Sequence, residues 1–278
     1  MVTPAVRDPC FTLTVSLFHL NSVVLALFVA GLLAASVAIG VLIGRRRLAR
    51  GDENHGTVGV VQGALLGLVG LLLAFGLSMA VGRYETRRGL VVQEANDIGT
   101  TYLRAQLLPE PQRSESLELL REYGDAAVVM AELVPGSDAF LEAADEKESL
   151  QTELWTLAGE AIADRPQDNA PKLYIETLNG MIDTHTDRVT SLGNRVPPPV
   201  MWLELLCSAL ALGAMGLYLT MLGRKLAPSF LTATVLGIIL LVSFDLDRPE
   251  RGIITVPSAP LVDVRATMDD PPAAVAPD

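Results

Sequence analysis

Cysteine and histidine are nearly missing from this chain. Its 278 residues hold two cysteines, Cys10 and Cys207, and three histidines, His19, His55 and His185. No CxxC or His–Cys spacing exists, so a zinc site or a redox pair has no ligand set, and no metal is expected. Nucleophile elbows, phosphate loops and zinc signatures are equally absent. The chain therefore reads as no enzyme, with no catalytic residue and no cofactor. No alternating strand pattern competes with the helical ones. Basic residues are scarce in the middle of the chain, where residues 83–199 carry 21 Asp and Glu against 11 Lys and Arg, a net charge of −10. That balance excludes nucleic acid, which needs a basic surface, and docking onto anionic headgroups.

Charge of either sign is missing from four long runs. Ser22 to Gly44 is 23 residues, Gly56 to Gly82 is 27, and Leu205–Gly223 and Leu226–Phe244 are 19 each. About 20 apolar residues in a helix cross the hydrocarbon core of a bilayer. The first run is too long for a cleaved signal, and Arg45, Arg46, Arg47 and Arg50 follow it, as for a retained anchor. Cys207 lies inside a span and reads as inert packing.

The chain is expected to be an all-α integral membrane protein in a bacterial inner membrane, crossing it several times. Four transmembrane helices form two hairpins around an inserted, acidic, helical soluble domain. The expected divisions are a tail over 1–20, hairpin 1 over 21–82, the soluble domain over 83–199, hairpin 2 over 200–246 and a Pro-rich tail over 247–278. That tail is expected to be extended or disordered, at least beyond about Ala266. Arg45 to His55 is expected to be a loop. Span 2 continues without a breaker to about Leu108, where Pro109 and Pro111 stop it. Ser114 is expected to cap the next helix, which runs to about Val134. Ser137 or Asp138 opens another that ends near Asp164, and Pro171 starts the last. In that helix Ile175, Leu178, Ile182, His185, Val189 and Leu192 form a seam at spacings of three and four. The lone His185 reads as a core residue. The arginines flanking the spans leave the orientation open: their density places the short loops inside, and their number places the opposite side inside.

Span 2 is rich in glycine. Gly59, Gly63 and Gly67 stand four apart, with Gly56 and Gly70 beside them, which suits close helix packing or a narrow pathway. Gln62 and Ser78 are its strongly polar side chains, and Phe75 is its aromatic one. Arg83, Arg87 and Arg88 stand where the span ends. Span 4 ends at the same face in Asp245-Leu246-Asp247-Arg248, and carboxylates at a helix C-terminus oppose its dipole. Asp245 or Asp247 is therefore expected to pair with Arg83 or Arg87. Glu204, one turn into span 3 beside the interfacial Trp202, reads as a structural carboxylate near a helix N-terminus.

The stretch from Gly70 through Arg83-Tyr-Glu-Thr-Arg-Arg88, then Val92, Glu94-Ala-Asn-Asp-Ile-Gly-Thr-Thr-Tyr-Leu-Arg-Ala105 and Leu108-Pro109, resembles the bacterial bestrophin-like domain family. The ending Asp245-Leu-Asp-Arg-Pro249, with Gly252 and Pro257, fits as well. The family's name borrows from bestrophins, pentameric anion channels with a pore-lining second span and a cytoplasmic helical domain. The resemblance implies a homo-oligomer in the lipid bilayer, a five-fold pore lined by span 2, and inorganic anions as permeant partners. The chain departs from bestrophins in lacking an aromatic gate cluster and an acidic calcium clasp beyond Asp245 and Asp247. A soluble charge of −10 would repel anions unless it points away from the pathway. The alternative is a non-conducting scaffold or sensor whose soluble helices bind a partner through the Ile175–Leu192 seam.

Overall fold

The computed structural model describes residues 22–51, 55–248 and 252–270. The protein is all-helical, 84% helix, with no strand among the described residues. Among the described residues eight helices follow in chain order: α1 Ser22–Leu48, α2 His55–Ala105, α3 Gln112–Glu132, α4 Asp138–Asp164, α5 Asn169–Gly193, α6 Pro198–Met221, α7 Ala227–Leu246 and α8 Ala259–Thr267. Four of them contain runs long and apolar enough to cross a membrane: α1, the first part of α2, α6 and α7. The N-terminal tail, Cys10, His19 and Pro249 lie outside the described residues.

The chain divides into two compact units, Met1–Arg83 with Arg195–Ile254, and Tyr84–Asn194 with Thr255–Asp278. In the first unit α1 and α6 run parallel, with their backbones in contact. A Cβ on Gly40 would overlap the Gly213 carbonyl, and one on Gly216 would stand 2.7 Å from the Val37 oxygen. Gly44 meets Thr220 in the same way, at 2.9 Å. Lipid tails are as apolar as leucine, so helices in a bilayer associate through close packing rather than a hydrophobic drive. Helix α2 runs antiparallel to α6, with Gly59 against Tyr218 at one end and Gly76 against Glu204 at the other. Leu25, Val29, Leu33, Val69, Leu73, Leu212, Leu236 and Leu240 fill the space between the helices.

In the second unit the later part of α2 presents Val91, Ala95, Ile98 and Tyr102 to a core shared with α3, α4 and α5. The sequence spacing puts Val91, Ala95, Ile98, Tyr102 and Leu103 in one helical pattern; the first four are buried, and Leu103 is 56% exposed. Ser137 caps α4 by accepting from the Phe140 amide at 3.2 Å.

Several boundaries differ from the sequence reading. Helix α1 continues through Arg45–Arg47 to Leu48, because arginine is a good helix former and nothing there breaks the backbone. Helix α3 opens before Ser114: the Glu110 carboxylate accepts from the Ser114 amide at 3.2 Å and its hydroxyl at 3.0 Å, doing the work expected of Ser114. Helix α5 begins two residues before Pro171, with Asp168 as its cap at 3.2 Å from the Ala170 amide. The buried stripe of α5 is Pro171, Tyr174, Leu178, Met181, His185 and Arg188, rotated from the predicted seam, with Ile175 and Ile182 at its half-buried edge. The rotation brings His185 and Arg188 inward together, and both have a buried partner there.

The C-terminal segment departs most. Residues 259–267 form α8, and Leu261 and Met268 enter the second unit's core. Arg265 grips Asp125 with bonds of 2.7 and 3.0 Å, and the Met268 carbonyl accepts from Tyr102 Oη at 2.9 Å and Arg121 Nε at 3.0 Å. The prolines suggested an extended tail, but Pro260 sits in the first turn of α8, where its missing N–H costs nothing.

The glycine crossing yields a test. Gly40→Val is expected to lower the stability of the detergent-solubilised protein by about 1–3 kcal/mol, as overpacking does. Gly31→Val, on the same helix with open space around it, should change it by less than half as much. Thermal unfolding followed by circular dichroism measures both, and equal losses would refute a crossing held by glycine contacts.

Candidate functional site

Helix α2 has two unlike sides where it passes through the first unit. Val69, Leu73, Gly76 and Ala80 are buried within the chain, and Gln62, Leu65 and Leu66 are half-buried beside them. The other side carries Gly63, Gly67 and Gly70, and a Cβ built on any of the three meets nothing within 4 Å. Phe75, 60% exposed, and Ser78 flank this open stripe. Gly59 belongs to neither group, because a Cβ there would stand 2.8 Å from the Tyr218 ring. The five glycines singled out from sequence thus split: Gly59 serves contact inside the chain, and Gly56, Gly63, Gly67 and Gly70 have open space around them.

The arginines after the span also have unlike surroundings. Arg87 is buried and donates to the Asn194 carbonyl at 2.8 Å and the Ser191 carbonyl at 3.4 Å, satisfying the C-terminus of α5. A cation there also suits the helix dipole. Arg88 is exposed and lies 3.7 Å from Glu85. Arg83 is half-buried.

Asp245 and Asp247 are buried, as is Arg248. Asp245 Oδ2 accepts from the consecutive amides of Ile253 and Ile254 at 2.7 and 2.8 Å, and its Oδ1 lies 3.4 Å from the Ser22 hydroxyl. Gly252 makes the wrap possible, since a Cβ there would stand 2.8 Å from the Asp245 carbonyl oxygen. Both oxygens of Asp247 accept from the Val196 amide, at 3.0 and 2.9 Å, just before α6. The sequence reading looked for arginine partners. Backbone donors hold these carboxylates as well, and a backbone amide leaves no mark in a sequence.

The second unit holds a polar cluster that sequence reasoning missed. Glu94 of α2 and Lys147 of α4 are both 0% exposed, and Lys147 Nζ lies 2.7 Å from Glu94 Oε1. Arg188 of α5 binds the other oxygen, Glu94 Oε2. His185 Nδ1 sits 3.1 Å from Glu94 Oε1 and 3.0 Å from Lys147 Nζ. Lys147 also lies 4.4 Å from the centre of the Tyr123 ring, whose negative face offsets the surplus positive charge. Gln151 donates to the Tyr123 hydroxyl at 3.1 Å.

Burial would raise the Glu94 carboxyl, but Lys147, the His185 hydrogen bond and Arg188 outweigh it and hold the group well below its ordinary range. Burial pulls Lys147 down to about 8 against the pull of Glu94. Burial also lowers His185, and it raises the Tyr123 hydroxyl with help from the Glu94 charge. The arrangement ties three helices together through one carboxylate. A signal for it exists in the sequence: Glu94 falls on the Val91–Ile98 stripe, and Lys147 lies on the stripe of Phe140, Ala143, Leu150 and Leu154.

Among the described residues no group of three or more His, Cys, Asp or Glu could hold a metal ion. These features define a multi-pass membrane protein, helical throughout, with four apolar helices and a separate helical unit. Its family follows from comparison: the bestrophin-like domain model matches residues 30–261, and the chain belongs to that family. No curated protein and no solved structure matches the chain.

The buried cluster predicts acid sensitivity. An unfolded Glu94 takes up a proton near its ordinary 4.5 and the folded one resists, so stability falls as pH drops below that value. His185, held below its ordinary 6.5, adds a slope of the same sign that begins nearer neutrality. Glu94→Gln is expected to cost about 3–5 kcal/mol at neutral pH, because it strands two buried cations, and to flatten the acid decline. Unfolding midpoints between pH 4 and 7 provide the check.

Proposed function

We propose that this chain is the subunit of a homo-oligomeric membrane channel for small inorganic anions, with the Gly63–Gly67–Gly70 side of α2 toward the pathway. One observation supports this reading: Gly63, Gly67 and Gly70 stand on one side of α2 that faces away from its own chain, with nothing within 4 Å of a Cβ built on any of them. A lipid-facing stripe has no use for three glycines, each destabilising a helix by roughly 0.5–1 kcal/mol relative to alanine. A narrow passage or a neighbouring helix does. Membership of the bestrophin-like family agrees with a channel by analogy of name and element order. In this arrangement α1, α2, α6 and α7 span a bacterial inner membrane as two hairpins, and the acidic helices stand outside it. Arg88, exposed beyond the end of the span, attracts anions to the mouth.

The rival, a scaffold that pairs through the α5 seam, has less surface to work with. Leu178 and His185 are buried within the chain, Ile175 and Ile182 pack on its main core, and Val189 and Leu192 pack against Met130 and Phe140.

Mass measurement of the detergent-solubilised protein should give a multiple of the 29.7 kDa chain, and the reconstituted protein should pass an anion-selective current. Gly67→Leu should abolish that current and leave the unfolding midpoint of the chain in place. Arg88→Glu should lower anion preference. A monomer, or a verified oligomer without current, would refute the channel.

A further inference from the structure

We propose that Glu204 is a proton-binding site within the membrane span, a carboxyl that gains and loses a proton against the bare backbone of α2 at Gly76. Glu204 is 2% exposed and its Oε1 has no hydrogen-bond partner. One turn further along α6 the buried Ser208 hydroxyl is also without a partner. Two orphaned oxygens thus follow each other on the inward face of one helix. The wall opposite is a glycine for a steric reason: a Cβ at Gly76 would overlap Glu204 Oε1. The carboxyl therefore leans on a Cα, which offers at best a weak C–H donor.

The surroundings supply no compensating charge. Gly56–Gly82 of α2, Ser22–Gly44 of α1 and Leu226–Phe244 at α7 carry no charged side chain, and Cys207 and Tyr218 are the other titratable groups of α6. The charged residues at the same end of this unit are Arg83, Arg195, Asp245, Asp247 and Arg248. Asp245 and Asp247 accept from backbone amides there. A carboxylate without a donor is poorly tolerated in an apolar setting, and such groups neutralise by taking a proton. A metal cation would need several more oxygens than Glu204 and Ser208 provide. Glu204 lies six residues into α6, roughly 9 Å from its start at 1.5 Å per residue, beside Trp202. A proton reaches that depth from the aqueous side. The site does not depend on whether the protein conducts.

A hydrophobic carbodiimide reacts with protonated carboxyls in apolar surroundings, so it reads the proton directly. The full-length protein in lipid nanodiscs is treated at a series of pH values and mapped by peptide mass spectrometry. Glu204 should be labelled at neutral pH, with labelling falling about tenfold per unit once pH exceeds the site's own midpoint. A water-soluble carbodiimide should label the exposed Glu85 and spare Glu204. Glu204→Gln, a neutral isostere of the protonated acid, should leave the unfolding midpoint at pH 7 unchanged. Three results would each overturn the proposal: no labelling of Glu204 at neutral pH, protection by sodium at constant pH, or a lowered midpoint for Glu204→Gln. The last would reveal a structural carboxylate serving the helix N-terminus.

Discussion

The membrane unit depends on the backbone contact between α1 and α6. In water, oily faces gather two helices; in a bilayer the same faces are already solvated by lipid, and proximity has to come from shape. Gly40, Gly213 and Gly216 remove the side chains that would hold the axes apart. With α1 and α6 parallel and in contact, α2 and α7 return alongside them. The loop ends are fastened at one face, where Asp247 takes the Val196 amide and Asp245 takes the amides of Ile253 and Ile254. Each carboxylate satisfies backbone groups that hydrocarbon would leave stranded. The acidic ending therefore acts as a clasp on the chain's own loops.

The glycines of α2 do a different job from those of α1 and α6. Only Gly59 and Gly76 are pressed by α6, and the outward stripe has open space. On the proposed reading, that open space belongs to the pathway or to a neighbouring subunit. Arg87, expected from sequence to pair with Asp245 or Asp247, also donates to the carbonyls that end α5.

Much of this was legible in the sequence. Uncharged runs reveal spanning helices because charge is so costly in hydrocarbon, and the Val91–Tyr102 periodicity reveals the buried face of α2 because soluble packing follows the helical repeat. What stayed hidden has physical causes. Glu94 and Lys147 sit on apolar stripes, but a charge on a stripe is readable only when its partner is known, and theirs lie 53 residues apart. The α1–α6 crossing is built by four glycines scattered through two distant spans, whereas the regular glycine repeat of span 2 drew attention. Helix α8 was obscured by prolines that mark a helix start as readily as an extended tail.

Glu94 and Glu204 bring these strands together. Both are buried carboxylates, one on α2 and one packed against it, and the chain solves the same electrostatic problem in opposite ways. Around Glu94 it assembles an ammonium, a guanidinium and an imidazole, each contributed by a helix that would otherwise be free to shift, and the charged form becomes a fixed structural element. Around Glu204 it assembles nothing, although Arg195 precedes it by nine residues and Arg83 follows Gly76 by seven. A side chain required only for packing at that place would be served by leucine or methionine without any desolvation penalty. A carboxyl placed there with an orphaned oxygen, against a glycine that makes room for it, is tolerable mainly as the neutral acid. Its value to the protein then lies in the proton it carries rather than in a charge it displays.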